Sequence, residues 1–235
     1  MNDMTFNEHV QALLNIPLTE EQIKQFNDYY HELIEYNKIT NLTTITDEEG
    51  VYFKHFFDSL TLAKSVDMHK ISTLCDMGSG AGFPSIPLKI VYPHLKITIV
   101  DSLNKRIQFL HKLNEILGIQ DVVCVHDRIE TFALKNLASF DLVTARALGH
   151  LRLISEMGIP IVKEGGIFVP LKGPHFQEEI DQSVNALKLL KASIEKVDEF
   201  ELPHDLGKRA NIIIRKHKHI TGYPRAYHVM TKKPL

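Results

Sequence analysis

Three alternating glycines form the part of this 235-residue sequence best suited to chemistry. They stand in the run Asp76-x-Gly78-x-Gly80-x-Gly82, directly after a short apolar stretch that predicts a β-strand. A turn of this kind brings backbone N–H groups and the start of a helix close to an anionic or polar ligand. We therefore expect a binding site for a nucleotide-like cofactor at these residues.

The glycine spacing bears on which cofactor is bound. A dinucleotide site has the spacing Gly-x-Gly-x-x-Gly, but here Phe83 and Pro84 follow the last glycine instead. With Asp76 included, the pattern resembles the first motif of class I S-adenosylmethionine-dependent methyltransferases. Asp101 ends the next predicted strand and would bind the two ribose hydroxyls, although both classes of cofactor use such an acid. A purely structural tight turn stays open as a third interpretation.

Two later features favour a methyltransferase. Ile129 and Glu130 follow the third predicted strand, where these enzymes place residues against adenine, and the pair Gly165-Gly166 precedes the fifth. No Asn/Asp-Pro-Pro-Tyr/Phe or Pro-Cys motif follows the fourth strand, which argues against methylation of an exocyclic amine or of cytosine C5. Arg146 stands there instead. We expect its guanidinium to serve turnover more than folding, and a surface ion pair is the alternative.

The order of predicted elements indicates how these residues are positioned. Strands are predicted at residues 72–77, 97–101, 122–125, 140–145, 167–171, 194–202 and 211–215, and helices at 86–91, 105–117 and 176–192. Strands that alternate with helices indicate an α/β fold with a doubly wound, mostly parallel sheet. Ligands of such sheets bind at the carboxyl ends of the strands.

The chain divides into two predicted parts. Residues 1–66 predict a helical extension packed on the core, with capping boxes that begin at Thr19 and Thr46. Residues 67–235 predict a Rossmann-like methyltransferase domain with a seven-stranded sheet and a basic C-terminal segment, 206–235. That segment holds eight Lys or Arg and no acid, whereas the first sixty residues hold three basic and eleven acidic side chains. Such asymmetry indicates a polyanion partner or, alternatively, a solvated basic end.

The overall composition excludes several classes of protein. The chain is 44% hydrophobic and 24% charged, as is usual for soluble globular proteins. No run of about 18 apolar residues occurs, and the first residues do not form a secretory signal. Cys75 and Cys124 are the only cysteines, so a reducing, cytoplasmic compartment is expected. The histidines show no metal-ligand spacing beyond the weak pair His217-x-His219, and no metal is expected.

Further motifs occur in a fixed order along nearly the whole chain. They are Tyr36-Asn37 with Asn41-Leu42-Thr43, His55-x-x-Asp58-Ser59-Leu60, Asp101-Ser102-x-x-Lys105-Arg106, Arg146-Ala147, Lys172-Gly173, Tyr223-Pro224-Arg225 and Lys233-Pro234-Leu235. With the glycine loop, they resemble the RsmG family, also called glucose-inhibited division protein B. Tyr36 and Ser85 depart from the family's usual Trp and Gly, and Ile129 replaces a small residue.

The resemblance implies methylation of N7 of guanosine 527 in 16S ribosomal RNA, with the small ribosomal subunit as partner. It implies S-adenosylmethionine as cofactor and Arg146 as the catalytic residue. The expected cofactor-binding residues are Asp76, Gly78, Gly80, Gly82, Phe83, Asp101, Ile129, Glu130 and Arg146. The residues expected at the RNA are Asn41, His55, Asp58, Ser59, Lys105, Arg106, Lys172, Arg209, Arg225, Lys232 and Lys233.

Several alternatives stay open at this point. His55, Asp58 and Ser59 share one predicted helix face, which either faces RNA or braces the N-terminal helices against the sheet. The protein is expected to be a monomer whose basic segment lies apart from the cofactor site. A small-molecule methyltransferase and a catalytically inactive nucleotide-sensing or RNA-binding module remain the alternative functions.

Overall fold

The fold is centred on one sheet. The structure is a computed structural model that describes residues 3–235, with side chains from residue 6 onward. Residues 1 and 2, on which the expected lack of a secretory signal partly rests, lie outside the described residues. The described chain forms a seven-stranded sheet in the order β3-β2-β1-β4-β5-β7-β6. The strands are β1 (Thr73–Met77), β2 (Lys96–Asp101), β3 (Val122–His126), β4 (Phe140–Arg146), β5 (Val162–Lys172), β6 (Ala192–Glu201) and β7 (Lys208–Lys216).

The strand order confirms the predicted doubly wound, mostly parallel sheet. Strands β1 to β5 pair in parallel, and β7 runs antiparallel to its neighbours β5 and β6. The order reverses between β1 and β4, and Met77 of β1 is paired with both Val100 and Ala145. Gly78, Asp101 and Arg146 therefore lie level with one another at the carboxyl edge of the sheet, where ligands of such folds bind.

Helices cover both faces of the sheet. They are α1 (Asp3–Leu14), α2 (Glu20–Asn37), α3 (48–65), α4 (Ser85–Val91), α5 (Asn104–Leu117), α6 (Ile129–Lys135), α7 (Leu151–Gly158), α8 (Phe176–Asp181), α9 (Val184–Leu189) and α10 (Tyr227–Lys232). Successive strand residues point to opposite faces, so Leu142 belongs to one apolar core and Val143 to the other. Within the described part of the chain, every helix is too short or too polar to cross a bilayer.

The N-terminal helices share a core with one face of the sheet. Phe26 and Leu33 of α2 and Phe56 of α3 pack in the same cluster as Ile86 and Phe109. The capping box at Thr19 is confirmed. The Thr19 hydroxyl accepts from Gln22 N, and the Gln22 side-chain oxygen accepts from Thr19 N. The extension is therefore held to the sheet through buried aromatic side chains.

Helix α3 differs from the prediction in two ways. Its N-cap is Asp47 rather than Thr46, because the Asp47 carboxylate accepts from Gly50 N. After the turn Glu48–Gly50 the helix continues as a π-helix over Val51–Phe57, and it returns to α geometry over Asp58–Ser65. π-helical turns are rare and often occur at functional sites, and this one carries His55.

Two predicted boundaries in the C-terminal half are wrong. Gly165 and Gly166 lie inside β5 rather than before it, in an irregular stretch where the pairing jumps from Val162 to Ile167. The helix predicted at 176–192 is split at Ser183, whose Oγ donates to Glu179 O. Such side-chain bonds to nearby backbone compete with a continuous helix.

Candidate active site

The glycine loop between β1 and α4 adopts backbone conformations that favour glycine. Gly78, Gly80 and Gly82 have φ values of +68°, +61° and +100°. A Cβ on Gly78 would lie 2.5 Å from a methyl carbon of Leu148, and one on Gly82 would lie 2.7 Å from Ile86. A Cβ on Gly80 would meet nothing within 4 Å. Gly78 and Gly82 are therefore required for packing, and Gly80 faces the open side of the loop.

Asp101 is held beside this loop by three groups. Its Oδ2 accepts from Gly80 N at 3.2 Å and from Arg106 Nη1 at 3.2 Å, and its Oδ1 accepts from Leu103 N at 2.9 Å. The residue is buried, with 2% of its surface exposed. These three hydrogen bonds fix the orientation of the carboxylate. Arg106 uses one guanidinium N–H for this pair and stays partly exposed, so its predicted contact with RNA phosphate stays a prediction.

A cavity of about 230 Å³ lies against these two elements. Its lining includes four of the predicted cofactor-binding residues, Gly78, Asp101, Ile129 and Glu130. Asp101 and Glu130 contribute carboxylates to the lining, and Leu148 and Met157 contribute apolar surface. A cavity with an acid pair and apolar walls suits a nucleoside, whose ribose hydroxyls donate and whose base is flat and weakly polar.

Asp76 adds a group that suits the other end of such a cofactor. Its Oδ2 accepts from Ser85 N at 3.2 Å, but its buried Oδ1 has no hydrogen-bond partner in the described protein. Burial raises the pKa of Asp76 to about 7. A buried carboxylate oxygen without a donor is costly, and the α-ammonium group of S-adenosylmethionine is a donor of the kind it lacks. The residues present therefore fit this cofactor.

Arg146, at the end of β4, is the centre of a buried polar cluster. Its Nη1 donates to Asp58 Oδ2 at 2.9 Å and to Lys54 O at 3.1 Å, and its Nη2 lies 3.1 Å from His55 Nδ1. Asp58 is 3% exposed, and burial raises its pKa although Arg146 opposes the shift. The ion pair of Arg146 with Asp58 is buried and not at the surface, so we expect Arg146 to contribute to folding as well as to turnover.

His55 extends the cluster to the loop before α3. Burial, reinforced by the Arg146 cation, lowers the pKa of His55 to about 3, so the ring is neutral near pH 7. Arginine only donates, so we assign Nδ1 as acceptor and Nε2–H as donor to Thr43 Oγ1, 2.8 Å away. Asn37 Oδ1 accepts from Thr43 N and orders the same loop.

Phe83 supports the glycine loop rather than lining the cofactor cavity. Its buried ring stacks on Tyr29 at 5.4 Å and on His55 at 4.5 Å between centroids. The Arg146 guanidinium lies 4.8 Å from the ring centroid. Tyr29 also donates its hydroxyl to Ala81 O in the loop. Phe83 therefore has a packing role that joins the N-terminal helices to the loop, and its direct contact with the cofactor stays a prediction.

Arg146 lines a second cavity, of about 510 Å³. Its charged lining combines four cationic side chains with two acids: Lys54, Arg146, Lys172, Arg209, Asp58 and Glu179. Lys172 donates to Gly149 O and pairs with Glu179 at 2.6 Å. Arg209 Nε lies 3.4 Å from Asp58 Oδ1. Arg146 therefore lines a cleft with more positive than negative groups.

The structure separates the residues predicted to contact RNA. Ser59 is fully buried and donates to His55 O, so it braces α3 and cannot face RNA; Asp58 is likewise buried. Arg225 makes a bidentate ion pair with buried Glu156, so most of its side chain is held against the protein. The predicted residues that are exposed and have no ion-pair partner among the described residues are Asn41, Lys105, Lys232 and Lys233.

Several residues of the site were missed by sequence reasoning. Tyr29 acts through ring and loop contacts with distant segments, for which the sequence carries no spacing signal, and Thr43 was seen only as part of the Asn41-Leu42-Thr43 motif, without its bond to His55. Leu148 follows Arg146-Ala147 and covers Gly78; the strained φ of +53° at Ala147 makes this turn. Tyr227 lines the cofactor cavity although it lies in the basic segment, so the expected separation of that segment from the cofactor site is wrong.

The fold and the cofactor site define a class I S-adenosylmethionine-dependent methyltransferase. The YcgJ protein from Bacillus subtilis has this fold with a TM-score of 0.56 at 12% identity, over 70% of this chain and all of that one. A 16S rRNA (adenine(1408)-N(1))-methyltransferase variant from Catenulisporales acidiphilia gives a TM-score of 0.53 at 14% identity, over 63% and 86% of the two chains.

The sequence comparisons give the particular family. Residues 22–207 match the family model GidB, rRNA small subunit methyltransferase G. A protein named ribosomal RNA small subunit methyltransferase G from Acholeplasma laidlawii is 51% identical over 97% of this chain and 99% of its own length. Its counterpart from Staphylococcus carnosus is 48% identical over 94% of both chains. The chain belongs to the rRNA small subunit methyltransferase G family, and S-adenosylmethionine is its cofactor.

Proposed function

We propose that this protein transfers the methyl group of S-adenosylmethionine to N7 of guanosine 527 in 16S ribosomal RNA of the small subunit. The observation that carries the proposal is Arg146, which lies at the carboxyl end of β4, level with Gly78 and Asp101, and lines a cationic cleft. Family membership over residues 22–207 supports the ribosomal substrate. The protein would act where ribosomal subunits are assembled, in the cytoplasm, and we expect it to act as a monomer without a metal.

The chemistry at N7 needs no general base. Guanine N7 carries a free lone pair, so it can attack the sulfonium methyl that the cofactor supplies without first losing a proton. The titratable groups nearest Arg146 are already hydrogen-bonded to it: Asp58 accepts from the guanidinium, and neutral His55 accepts at Nδ1. Alignment of donor and acceptor is then the main contribution of the protein, worth as much as ~7–11 kcal/mol in favourable cases.

Arg146 is suited to such alignment because part of its guanidinium stays free. Three of its five N–H groups reach Asp58, Lys54 O and His55, and no acceptor among the described residues takes the other two. A guanidinium fixed on one side presents its remaining donors in a rigid plane. These donors fit an oxygen of the acceptor base or a phosphate. Lys172, also held in place by Glu179, adds a second fixed cation in the same cleft.

Two other functions make different predictions. A small-molecule methyltransferase would not need the exposed lysines of the basic segment, and ribosomal particles would not compete with its substrate. A catalytically inactive RNA-binding module would bind the particle and transfer no methyl group. Transfer of a labelled methyl group to purified small subunits therefore separates the three functions.

The site of methylation is tested by mapping N7-methylguanosine in 16S RNA from cells with and without this protein. We expect the modification at guanosine 527 to disappear without the protein and to return with the wild-type chain. The Asp101→Ala variant should restore it poorly, because it weakens the cofactor site. Unchanged modification in cells that lack the protein would overturn the proposed substrate.

The electrostatic part of RNA binding should come from four exposed lysines of the basic segment: Lys208, Lys218, Lys232 and Lys233. The other four cations of the segment are Arg209, Arg215, Lys216 and Arg225, and each has a partner inside the protein. Each phosphate contact contributes roughly 0.7–0.9 to the slope of log affinity against log salt. Replacing the four lysines with Ala should therefore flatten the slope for small subunits by about 2–4 units.

A control of equal charge uses four other exposed lysines. Lys24, Lys38, Lys70 and Lys135 each pair with a nearby carboxylate on the surface. Their replacement with Ala should leave the salt slope within about one unit of the wild type, because such pairs offer little net charge to RNA. Equal slopes for the two quadruple variants would show that the basic segment is only a solvated end.

A further inference from the structure

The closing segment of the chain is anchored by one ion pair on α7. Glu156 is 1% exposed, and its two oxygens accept from Arg225 Nε at 2.6 Å and Arg225 Nη2 at 2.7 Å. The same carboxylate accepts from Arg225 N at 3.1 Å, while Arg225 Nη2 also donates to Lys233 O at 3.0 Å. The guanidinium therefore fixes both the start and the end of the segment that contains α10.

This anchor places an aromatic ring at the cofactor cavity. Tyr227, two residues after Arg225, lines the cavity with Asp101 and Glu130. Leu153 and Met157 of α7, which flank Glu156 on the same helix, belong to the same wall. Tyr227 is 44% exposed, whereas Met230 one turn later is fully buried in the core. The segment is thus packed on one side and leaves the tyrosine ring at the opening of the cavity.

We propose that Tyr227 is a cofactor-binding residue, whose ring covers the adenosine half of S-adenosylmethionine, and that the Glu156–Arg225 pair positions it. The proposal rests on the assignment of this cavity to the adenosine. Aromatic rings stack on any base because every base has a π face. A half-exposed ring at the opening gains apolar contact when a flat base lies against it. Arg225 would then serve cofactor binding through Tyr227, and not RNA binding.

The proposal is tested by titration calorimetry without RNA, so its outcome does not depend on the substrate. Tyr227→Ala should weaken binding of S-adenosylmethionine by roughly 5- to 150-fold, the range that stacking of one base contributes. 5′-Methylthioadenosine, which lacks the amino-acid end, should lose affinity by the same factor. Tyr227→Phe keeps the ring and should bind both ligands within about twofold of the wild type.

The control is His228→Ala, which removes an exposed ring at the next position of α10, outside the cavity. It should leave the affinities for S-adenosylmethionine and for 5′-methylthioadenosine unchanged. Arg225→Ala should weaken the binding of both ligands. Adding Tyr227→Ala to Arg225→Ala should reduce affinity by a smaller factor than Tyr227→Ala does in the wild type, because the two residues act as one unit. If Tyr227→Ala does not fold, Tyr227→Leu carries the same test, since it keeps apolar volume without a ring.

Three results would overturn the proposal. Wild-type affinity for S-adenosylmethionine in Tyr227→Ala or Tyr227→Leu would show that the ring does not contact the cofactor. Loss of S-adenosylmethionine binding without loss of 5′-methylthioadenosine binding would place any contact at the amino-acid end. A wild-type protein that binds neither ligand would refute the cavity assignment itself, whereas failure to methylate guanosine 527 would affect only the proposed function.

Discussion

Arg146→Ala should lower methyl transfer to small ribosomal subunits at least tenfold, about 1.4 kcal/mol of barrier, and destabilise the fold as well. Methyl transfer should fall because the variant lacks the two free guanidinium donors that we expect to bind the acceptor. The loss of stability follows from Asp58, which is 3% exposed and would keep, among the described residues, only Arg209 Nε as a charged partner, at 3.4 Å. Removing one partner of a buried ion pair typically costs about 3–5 kcal/mol.

The two effects can be separated with the double variant Arg146→Ala/Asp58→Asn. Asparagine removes the buried charge that the single variant leaves without its main partner, so the free energy of unfolding should return towards the wild-type value. Methyl transfer should stay low, because the guanidinium is still absent. Chemical denaturation and single-turnover transfer, both measured near pH 7 where His55 is neutral, give the two quantities.

Arg215→Ala is the matched control for this experiment. Arg215 makes a bidentate pair with Glu195 at 2.8 Å, but it lies at the opposite edge of the sheet, where β7 is paired with Ile167. Its removal should change methyl transfer by less than about twofold and stability by at most about 1 kcal/mol. If the double variant regains both stability and transfer, Arg146 has only a structural role.

The cofactor loop could be predicted from sequence because its physical requirements are local. A glycine at φ +61°, a strand of five residues before it and a carboxylate at the end of the next strand lie within one short stretch of chain. The stop of α5 was predictable for the same reason, since Gly118 adopts the left-handed conformation at its C-cap. Each of these features is dictated by residues close to it in sequence.

The partners of Arg146 and Arg225 could not be predicted, because long-range packing decides them. Arg146 bonds to Asp58, which is 88 positions away, and Arg225 bonds to Glu156, which is 69 positions away. A basic segment without acids predicts a polyanion partner outside the protein. The structure shows that half of its cations have partners inside the protein, and charge counts alone cannot distinguish these two arrangements.

The binding of S-adenosylmethionine should depend on Asp101 and Gly80 in different ways. Asp101→Ala removes the carboxylate expected to accept from the ribose hydroxyls and should cost roughly 1.5–3 kcal/mol of binding free energy. It also removes the acceptor for Gly80 N and Leu103 N, so we expect a smaller loss of folding stability, about 1–2 kcal/mol. Arg106→Ala, which keeps the carboxylate and frees it from its cation, should retain cofactor affinity.

Gly80→Val should abolish cofactor binding by steric exclusion. A Cβ at Gly80 meets no protein atom within 4 Å, so the valine side chain would point to the open side of the loop, where the cofactor is expected. The positive φ should cost about 1–2 kcal/mol of stability, whereas Gly82→Ala should add a core clash with Ile86 and Tyr29. Calorimetry with wild-type affinity in both Asp101→Ala and Gly80→Val would refute the site, as would tighter binding of a nicotinamide dinucleotide.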